Sequence, residues 1–309
     1  MVKNYSLKTL KKIFLEIDPN RKIPFLLGSG FAENHKKSEI FNNRKNYGND
    51  FYVNNLVKKK EFFKRLEQSK ILFPKLIKKS PPKITLIKNF KSFGSQHIKK
   101  LKDKNYCLKK YEYFQEFLKG KNTSVQFITF KNKLSLISIC EQVFKKDTFF
   151  IDYLITQRLD KEKEIKTFNL VKKIVKIFNL NGINNIDIIC RGENFYLVEI
   201  NSRPGLSSNI IYKINQGPFI GEEKKSYNKY YATKIIYASK RMIINKKIIN
   251  FFKKHCNSNN FSELPNERDI IKVNEPICLI HLMAKTKKLL EKSLHIETKK
   301  FLNKLEINL

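Results

Sequence analysis

Apolar positions recur at helical spacing in some stretches of this chain and alternate or run together in others. Ile165, Phe168, Val171, Val175 and Phe178 lie three or four residues apart and predict a helix over 165–178. Asn181-Gly182 supplies its stop. Leu56, Phe63 and Leu66 fall near one face of a helix over 54–69, and 286–305 reads as a closing helix. A further helix is expected around 98–110. Short apolar runs predict strands at 23–28, 83–88, 111–117, 183–190, 195–200, 235–239 and 276–284, with 125–130 and 134–140 forming a hairpin. ILFP (71–74) reads as an extended piece stopped by Pro74. Residues 118–124 read as a turn and 211–230 as irregular. KKSPP (78–82) is the best linker, because two prolines exclude helix and leave no backbone donor. Mixed strands and helices with several hairpins argue for an α/β or α+β fold. No repeat of solenoid period is visible.

The densest chemistry lies in IDIICRGENFYLVEINSRPG (186–205). Asp187 interrupts one apolar strand, and Glu199 and Asn201 interrupt its partner. Carboxylates among Ile, Phe and Val are costly unless paired or bound to a cation. Magnesium prefers oxygen ligands, and Glu199 and Asn201, two apart on a strand, point to one face. Asp187 joins that face if it lies opposite Glu199, as a three-residue Gly-Glu-Asn turn would arrange. A two-residue turn alone pairs 187 with 198 and puts Asp187 on the other side. A metal site here therefore requires an odd-numbered turn or a bulge. The structural alternative is a pair of strand residues held in salt bridges. Arg203, in the Pro-Gly turn that follows, extends the polar group.

Composition changes this picture little. Hydrophobic residues make up 41% and aromatics 12%, enough for a real core and too many for a disordered chain. The net charge of +35 is the signal for nucleic acid. However, the lysines are spread along the whole chain, and Lys is joined by much Asn, Ile and Phe with no Trp, the usage of an AT-rich genome. A dedicated nucleic-acid surface is therefore disfavoured. No apolar run approaches the roughly 20 residues of a membrane helix, and no signal-peptide core opens the chain. Cys107, Cys140, Cys190, Cys256 and Cys278 form no CxxC pair and read as reduced packing residues of a cytoplasmic protein. The five histidines show no metal spacing, and His281 reads as a satisfied core residue. Gly28-Ser29-Gly30 reads as a turn after a strand. Glu141 and Gln142, lone polar residues after a strand, read as structural.

NGINNIDIICRGENFYLVEINSRPG (181–205) resembles the metal-binding hairpin of the ATP-grasp superfamily. ITLIKNFKSFGSQHI (84–98) resembles its phosphate-loop segment, and YFQEFLKGKNTSVQF (113–127) its adenine hinge. The PFLLGSGFAE opening, the FF..L....I.FP stretch (62–74) and the late NEPICLIHLMA (274–284) are similar in order to a subgroup of predicted ATP-dependent carboligases, of carboxylate–amine ligase type. The resemblance implies an ATP-grasp fold of two α+β subdomains clamping a nucleotide. Residues 1–80 would be a partial N-terminal region, since only 22 residues precede IPFLLG where relatives carry a Rossmann-like unit. Residues 81–309 would be the ATP-grasp domain, with 83–117 as the nucleotide lid and 118–309 as the large subdomain.

It further implies ATP and magnesium (or manganese) as cofactors, the metal on Asp187, Glu199 and Asn201. Lys88 and Gly94 would meet the phosphates, Gln115, Glu116, Phe117 and Leu118 the adenine edge, and Asn122 the ribose. Lys88 and Arg203 would serve catalysis. Lys58, Lys59 and Lys60 stand where relatives keep another nucleotide lysine, and a solvated helix face accounts for them equally. The implied reaction joins a small carboxylate to an amine through an acyl phosphate. A neighbour of this subgroup, the tyramine–glutamate ligase of methanofuran biosynthesis, implies an amino-acid or cofactor-precursor substrate. An oligomer is compatible with the sequence. Gly94 is the lone glycine of a loop that in relatives has several. That departure leaves open a non-catalytic nucleotide-binding protein, with a basic nucleic-acid-binding protein as the remoter alternative.

Overall fold

A computed structural model describes residues 7–28, 44–56, 60–78, 85–90, 98–103, 105–130, 133–215, 228–257 and 259–307. Its elements run α1 (Leu7–Ile17), α2 (Phe51–Leu56), α3 (Lys60–Gln68), β1 (Leu76–Ile77), β2 (Thr85–Asn89), β3 (Lys99–Lys100), β4 (Glu112–Glu116), β5 (Lys121–Phe130) and β6 (Lys133–Phe144). They continue β7 (Ile151–Thr156), α4 (Lys161–Phe178), β8 (Gly182–Arg191), β9 (Asn194–Asn201), α5 (Ser208–Asn215), β10 (Tyr230–Tyr237) and β11 (Met242–Ile243). The last are α6 (Lys246–His255), β12 (Phe261–Ser262), β13 (Ile270–Ile271), β14 (Pro276–Ala284) and α7 (Lys287–Ile307). The chain forms two compact units, one of residues 1–139 and 158–205, the other of 140–157 and 206–309. The boundary expected between 80 and 81 falls on residues outside those described.

The first unit holds two sheets. The smaller has the order β1-β4-β2-β3. Ile87, Leu101 and Phe114 fill one of its faces. In the other sheet β8 lies between β5 and β9, and β5 also pairs with β6. Val125, Phe127, Ile186, Ile188, Leu197 and Ile200 of that sheet are buried with Phe62, Phe63 and Leu66 of α3 and Val171, Ile174 and Phe178 of α4. Each such side chain contributes about 1.5–3 kcal/mol on burial, so this face sets the strand register. Helix α4 begins where the Asp160 carboxylate accepts the Lys163 N–H at 2.8 Å. It ends at Asn179 in the left-handed conformation, φ 51° and ψ 49°, two residues earlier than Asn181-Gly182 suggested. Gly182 has a different task. It sits at φ +68°, and a Cβ there would lie 1.8 Å from the Tyr47 carbonyl oxygen.

In the second unit, β14 lies between β12 and β10, with β7 on the far side of β10 and residues 140–144 of β6 beside β7. Its core joins Phe251 and Phe252 of α6 to Phe301 and Leu305 of α7 and to Ile277, Cys278 and Ile280 of β14. Strand β7 and helix α6 were not anticipated, although α6 carries a readable start: the Asn245 side chain accepts the Ile248 N–H at 2.9 Å.

Four local expectations fail. Residues 23–28 form only an isolated parallel bridge, Phe25 to Asn46. The helix around 98–110 is replaced by β3 and a loop. There the Asp103 carboxylate accepts the Asn105 N–H (2.9 Å) and the Glu112 carboxylate accepts the Lys109 N–H (2.9 Å), local bonds that compete with a helix. Residues 121–124 are strand, not turn, because β5 continues in register with β8 as far as Lys121–Cys190. A helix over Ser208–Asn215 runs into the stretch expected to be irregular from 211, and 216–227 lie outside the described residues.

Candidate functional site

The β8–β9 hairpin closes on a two-residue turn, with Arg191 paired to Asn194 and Cys190 to Phe195. Continued without interruption, that register would have placed Asp187 opposite Val198. A β-bulge intervenes instead. Ile188 pairs with Leu197 and Asp187 with Glu199, leaving Val198 as the extra residue. The cause lies in LVEI (197–200). Leu197 and Ile200 are three apart, and a regular strand would bury only one of them. With the bulge both point into the core, at 0% and 2% exposure, and Glu199 turns outward. Asn185 pairs with Asn201 one step further on, so Asn185, Asp187, Glu199 and Asn201 share one face.

The face is tightly bonded. Asn201 Nδ2 donates to Glu199 Oε1 at 3.0 Å. Arg203 Nη2 lies 3.4 Å from Asn201 Oδ1, and its Nη1 donates to the Pro204 carbonyl at 3.1 Å. Asn185 Nδ2 donates to Asp187 Oδ1 at 3.1 Å, and Ser124 Oγ on β5 donates to Asn185 Oδ1 at 2.8 Å. Asn122 follows the same face two residues before Ser124, half-buried and opposite Ile189. Burial pushes the Asp187 carboxyl well above the usual carboxylate range, and the Glu199 charge pushes it further. Two carboxylates and an amide oxygen converge, a donor set that fits a hard divalent cation. Among the described residues no three His, Cys, Asp or Glu side chains are grouped for a metal, so such a site depends on the asparagine oxygens.

Lys88 is on β2, only 7% exposed, and pairs with Tyr113 on β4. The Tyr113 phenol is pushed up by burial and then by the Glu199 charge, which ties this end of the small sheet to the hairpin electrostatically. Tyr113 packs on Phe90 at 4.3 Å between ring centroids. Gln115 is buried and its side-chain amide Nε2 donates to the Pro74 carbonyl at 2.9 Å, a structural bond. The Glu116 carboxylate accepts the Lys75 N–H at 3.2 Å. Leu118 is buried, and the Lys100 ammonium lies 5.6 Å from the Phe117 ring centroid. Gly94, Lys58, Lys59, Ser29 and Gly30 lie outside the described residues, and so does most of the 84–98 phosphate-loop segment. Glu141 accepts from Lys287 Nζ at 2.9 Å, a structural ion pair.

Sequence reasoning passed over Ser124, Asn185 and Asn49. Asn185 was readable, because it stands two residues before Asp187 on a strand. Asn49 carried no signal. Its Nδ2 donates to Asn184 Oδ1 (2.7 Å) and to the Ser202 carbonyl (2.8 Å), and its Oδ1 accepts the Asn181 N–H (2.8 Å). It thereby braces the start of β8 against the residue between Asn201 and Arg203.

Residues 57–207 match the family model for the ATP-grasp domain. Over 143 residues, 46% of this chain, the sequence is 31% identical to the tyramine–L-glutamate ligase of Methanocaldococcus jannaschii. Over 108 residues, 32% of the chain, it is 28% identical to the D-alanine–D-alanine ligase of Flavobacterium psychrophilum. These alignments span 42% and 32% of the two relatives' own lengths. The fold is similar to the crystal structure of the L-amino acid ligase of Bacillus licheniformis, with a TM-score of 0.69 at 13% identity, covering 95% of this chain and 82% of that one. These likenesses show that the chain has the α+β ATP-grasp fold, and the match over residues 57–207 places that part of it in the ATP-grasp superfamily.

Proposed function

We propose that this protein binds ATP with magnesium and joins a small carboxylate to an amine. The observation that carries the reading is the bulge at Val198, which gathers Asp187, Glu199 and Asn201 on one face beside Arg203. ATP-grasp proteins typically use ATP and magnesium, and three relatives named above are amino-acid ligases. An amino acid is accordingly the proposed carboxylate or amine partner.

Asp187, Glu199 and Asn201 would hold the magnesium, whose charge would offset that of the phosphate oxygens. The Lys88 ammonium holds phosphate oxygens as a point charge. The backbone around Gln115–Leu118 would receive the adenine, with Asn122 toward the ribose. The Arg203 guanidinium steadies the carboxylate with its planar fork. A carboxylate oxygen attacks the γ-phosphorus and ADP leaves. The amine nitrogen then attacks the acyl carbon, phosphate leaves, and the amine proton passes to solvent.

The test is a thermal-shift titration with ATP, with and without magnesium, followed by ADP release across a panel of amino acids and amines. The expected result is magnesium-dependent stabilisation by ATP, and ADP release requiring both a carboxylate and an amine. Folded protein that ignores ATP in magnesium overturns the reading. Binding without ADP release across the panel overturns the ligase and leaves a nucleotide-binding protein.

A further inference from the structure

We infer that Asn185, oriented by Ser124, is a positioning residue for Asp187 that sets how strongly the hairpin face holds magnesium. The inference rests on the reading above, in which that face holds magnesium with ATP.

Asn185 is only 3% exposed and Ser124 equally so. Asn185 follows neither the core pattern nor the solvent pattern: it is a polar side chain buried on the site face. Its two amide atoms are assigned by chemistry. Its NH2 group donates to Asp187 Oδ1 at 3.1 Å, the arrangement required when Asp187 is an ionised, accept-only carboxylate beside a bound cation. The atom facing Ser124 is then the amide oxygen, and it takes the hydroxyl proton at 2.8 Å. Were Asn185 to rotate by half a turn, its oxygen would face a carboxylate oxygen and repel it. Ser124 also lies opposite Asp187 in the β5–β8 ladder, so both partners meet the carboxylate from one side. Glu199 approaches it across the other ladder.

A third contact locks the arrangement. A Cβ on Gly205 would come within 2.9–3.1 Å of Asn185 Cγ, Cβ and Oδ1. The turn carrying Arg203 therefore passes directly over Asn185, and only a residue without a side chain leaves room. Asn185 thus sits beneath the Arg203 turn and beside Asp187. It holds one carboxylate oxygen by its NH2 group and fixes the direction in which the other can point. Removing such a partner from a metal-binding carboxylate typically lowers metal affinity about 10- to 100-fold without abolishing it.

The experiment measures ATP binding to the full chain by calorimetry in two series: magnesium varied at saturating ATP, and ATP varied at saturating magnesium. Melting temperatures are recorded beside them. In Asn185→Leu, nearly isosteric and unable to donate, the half-saturating magnesium concentration should rise about 10-fold or more. The ATP requirement at saturating magnesium should stay close to wild type. Ser124→Ala should move magnesium in the same direction by less, and it carries the test alone if Asn185→Leu does not fold. An unchanged magnesium requirement in a folded variant overturns the inference. So does a parallel loss of magnesium and ATP affinity that tracks the melting temperature, the mark of a merely structural role. Wild-type protein that binds ATP equally well without magnesium removes this inference together with the reading it rests on, and is distinguished by being seen before any variant is made.

Discussion

Two polar clusters inside sheets of this protein behave in opposite ways. In the first unit, the β8–β9 face brings Asp187 against Glu199, and burial and like charge together drive the Asp187 carboxyl upward. In the second, His281 on β14 is 4% exposed, with Thr233 Oγ1 3.0 Å from Nδ1 and Ser262 Oγ 2.7 Å from Nε2. Both ring nitrogens are engaged by neutral hydroxyls. Burial, and then Lys213, lowers the His281 pKa to about 4. The second cluster is complete as it stands and neutral at pH 7. The first sets two carboxyls against each other, a repulsion that the proposed magnesium would relieve. A buried polar group therefore indicates a ligand when its neighbours add charge to it, and a structural role when they satisfy it.

The sharpest way to break this contrast is Asp187→Ala. Magnesium-dependent ATP binding should fall about 1,000-fold, equivalent to about 4 kcal/mol, by calorimetric titration. The ligand-free protein should lose little stability, because removing a carboxyl set against Glu199 offsets the loss of the acceptor for Asn185 Nδ2. Retained affinity would remove the hairpin face as the site.

The second cluster predicts a pH effect. The folded pKa of His281 is below its ordinary 6.5, so the folded state favours the neutral ring. Its contribution is complete above pH 6.5 and is lost as the pH falls through 6.5 toward 4, amounting to about 3 kcal/mol. Urea unfolding across that range should show a shallower acid loss in His281→Gln than in wild type. Identical slopes would mean that His281 titrates normally.

Asn49→Ala should cost about 2 kcal/mol in the same assay, because it leaves the Ser202 carbonyl and the Asn181 N–H without their buried partner. A neutral outcome would show that the brace beneath Arg203 is dispensable. The smallest effect is expected for Lys287→Ala. Its ion pair with Glu141 has side chains 39% and 20% exposed, so the loss should stay under about 1 kcal/mol. A larger loss would show that charge pairs outside the hairpin also matter.

Much of this was legible in the chain. The helices at 161–178 and 287–307 and the strands at 182–191, 194–201 and 276–284 follow from short-range periodicity, and their observed bounds differ from the expected ones by a few residues. The loop at 101–111 was misread, because among its described residues only Leu101 is buried, with Tyr106 packed beside it, while Asp103 and Glu112 bond to nearby backbone N–H groups. The Glu116 and Gln115 side chains bond near Pro74 and Lys75, contacts 41 residues apart that no local pattern reveals.

The sequence by itself determined that Glu199 and Asn201 share a strand face, that Asp187 interrupts its partner, and that a bulge or an odd turn had to reconcile them. These follow from the two-residue period of a strand, a local property. Only the tertiary structure decided which device was used. The turn is even, and the bulge at Val198 restores the register because the core on the other face takes both Leu197 and Ile200. It alone also brought Ser124 and Asn49 to the hairpin, from 63 and 135 positions before Asp187 and Asn184 respectively in the chain. Which strands lie side by side is settled by burial over the whole unit, and no window of the sequence contains that information.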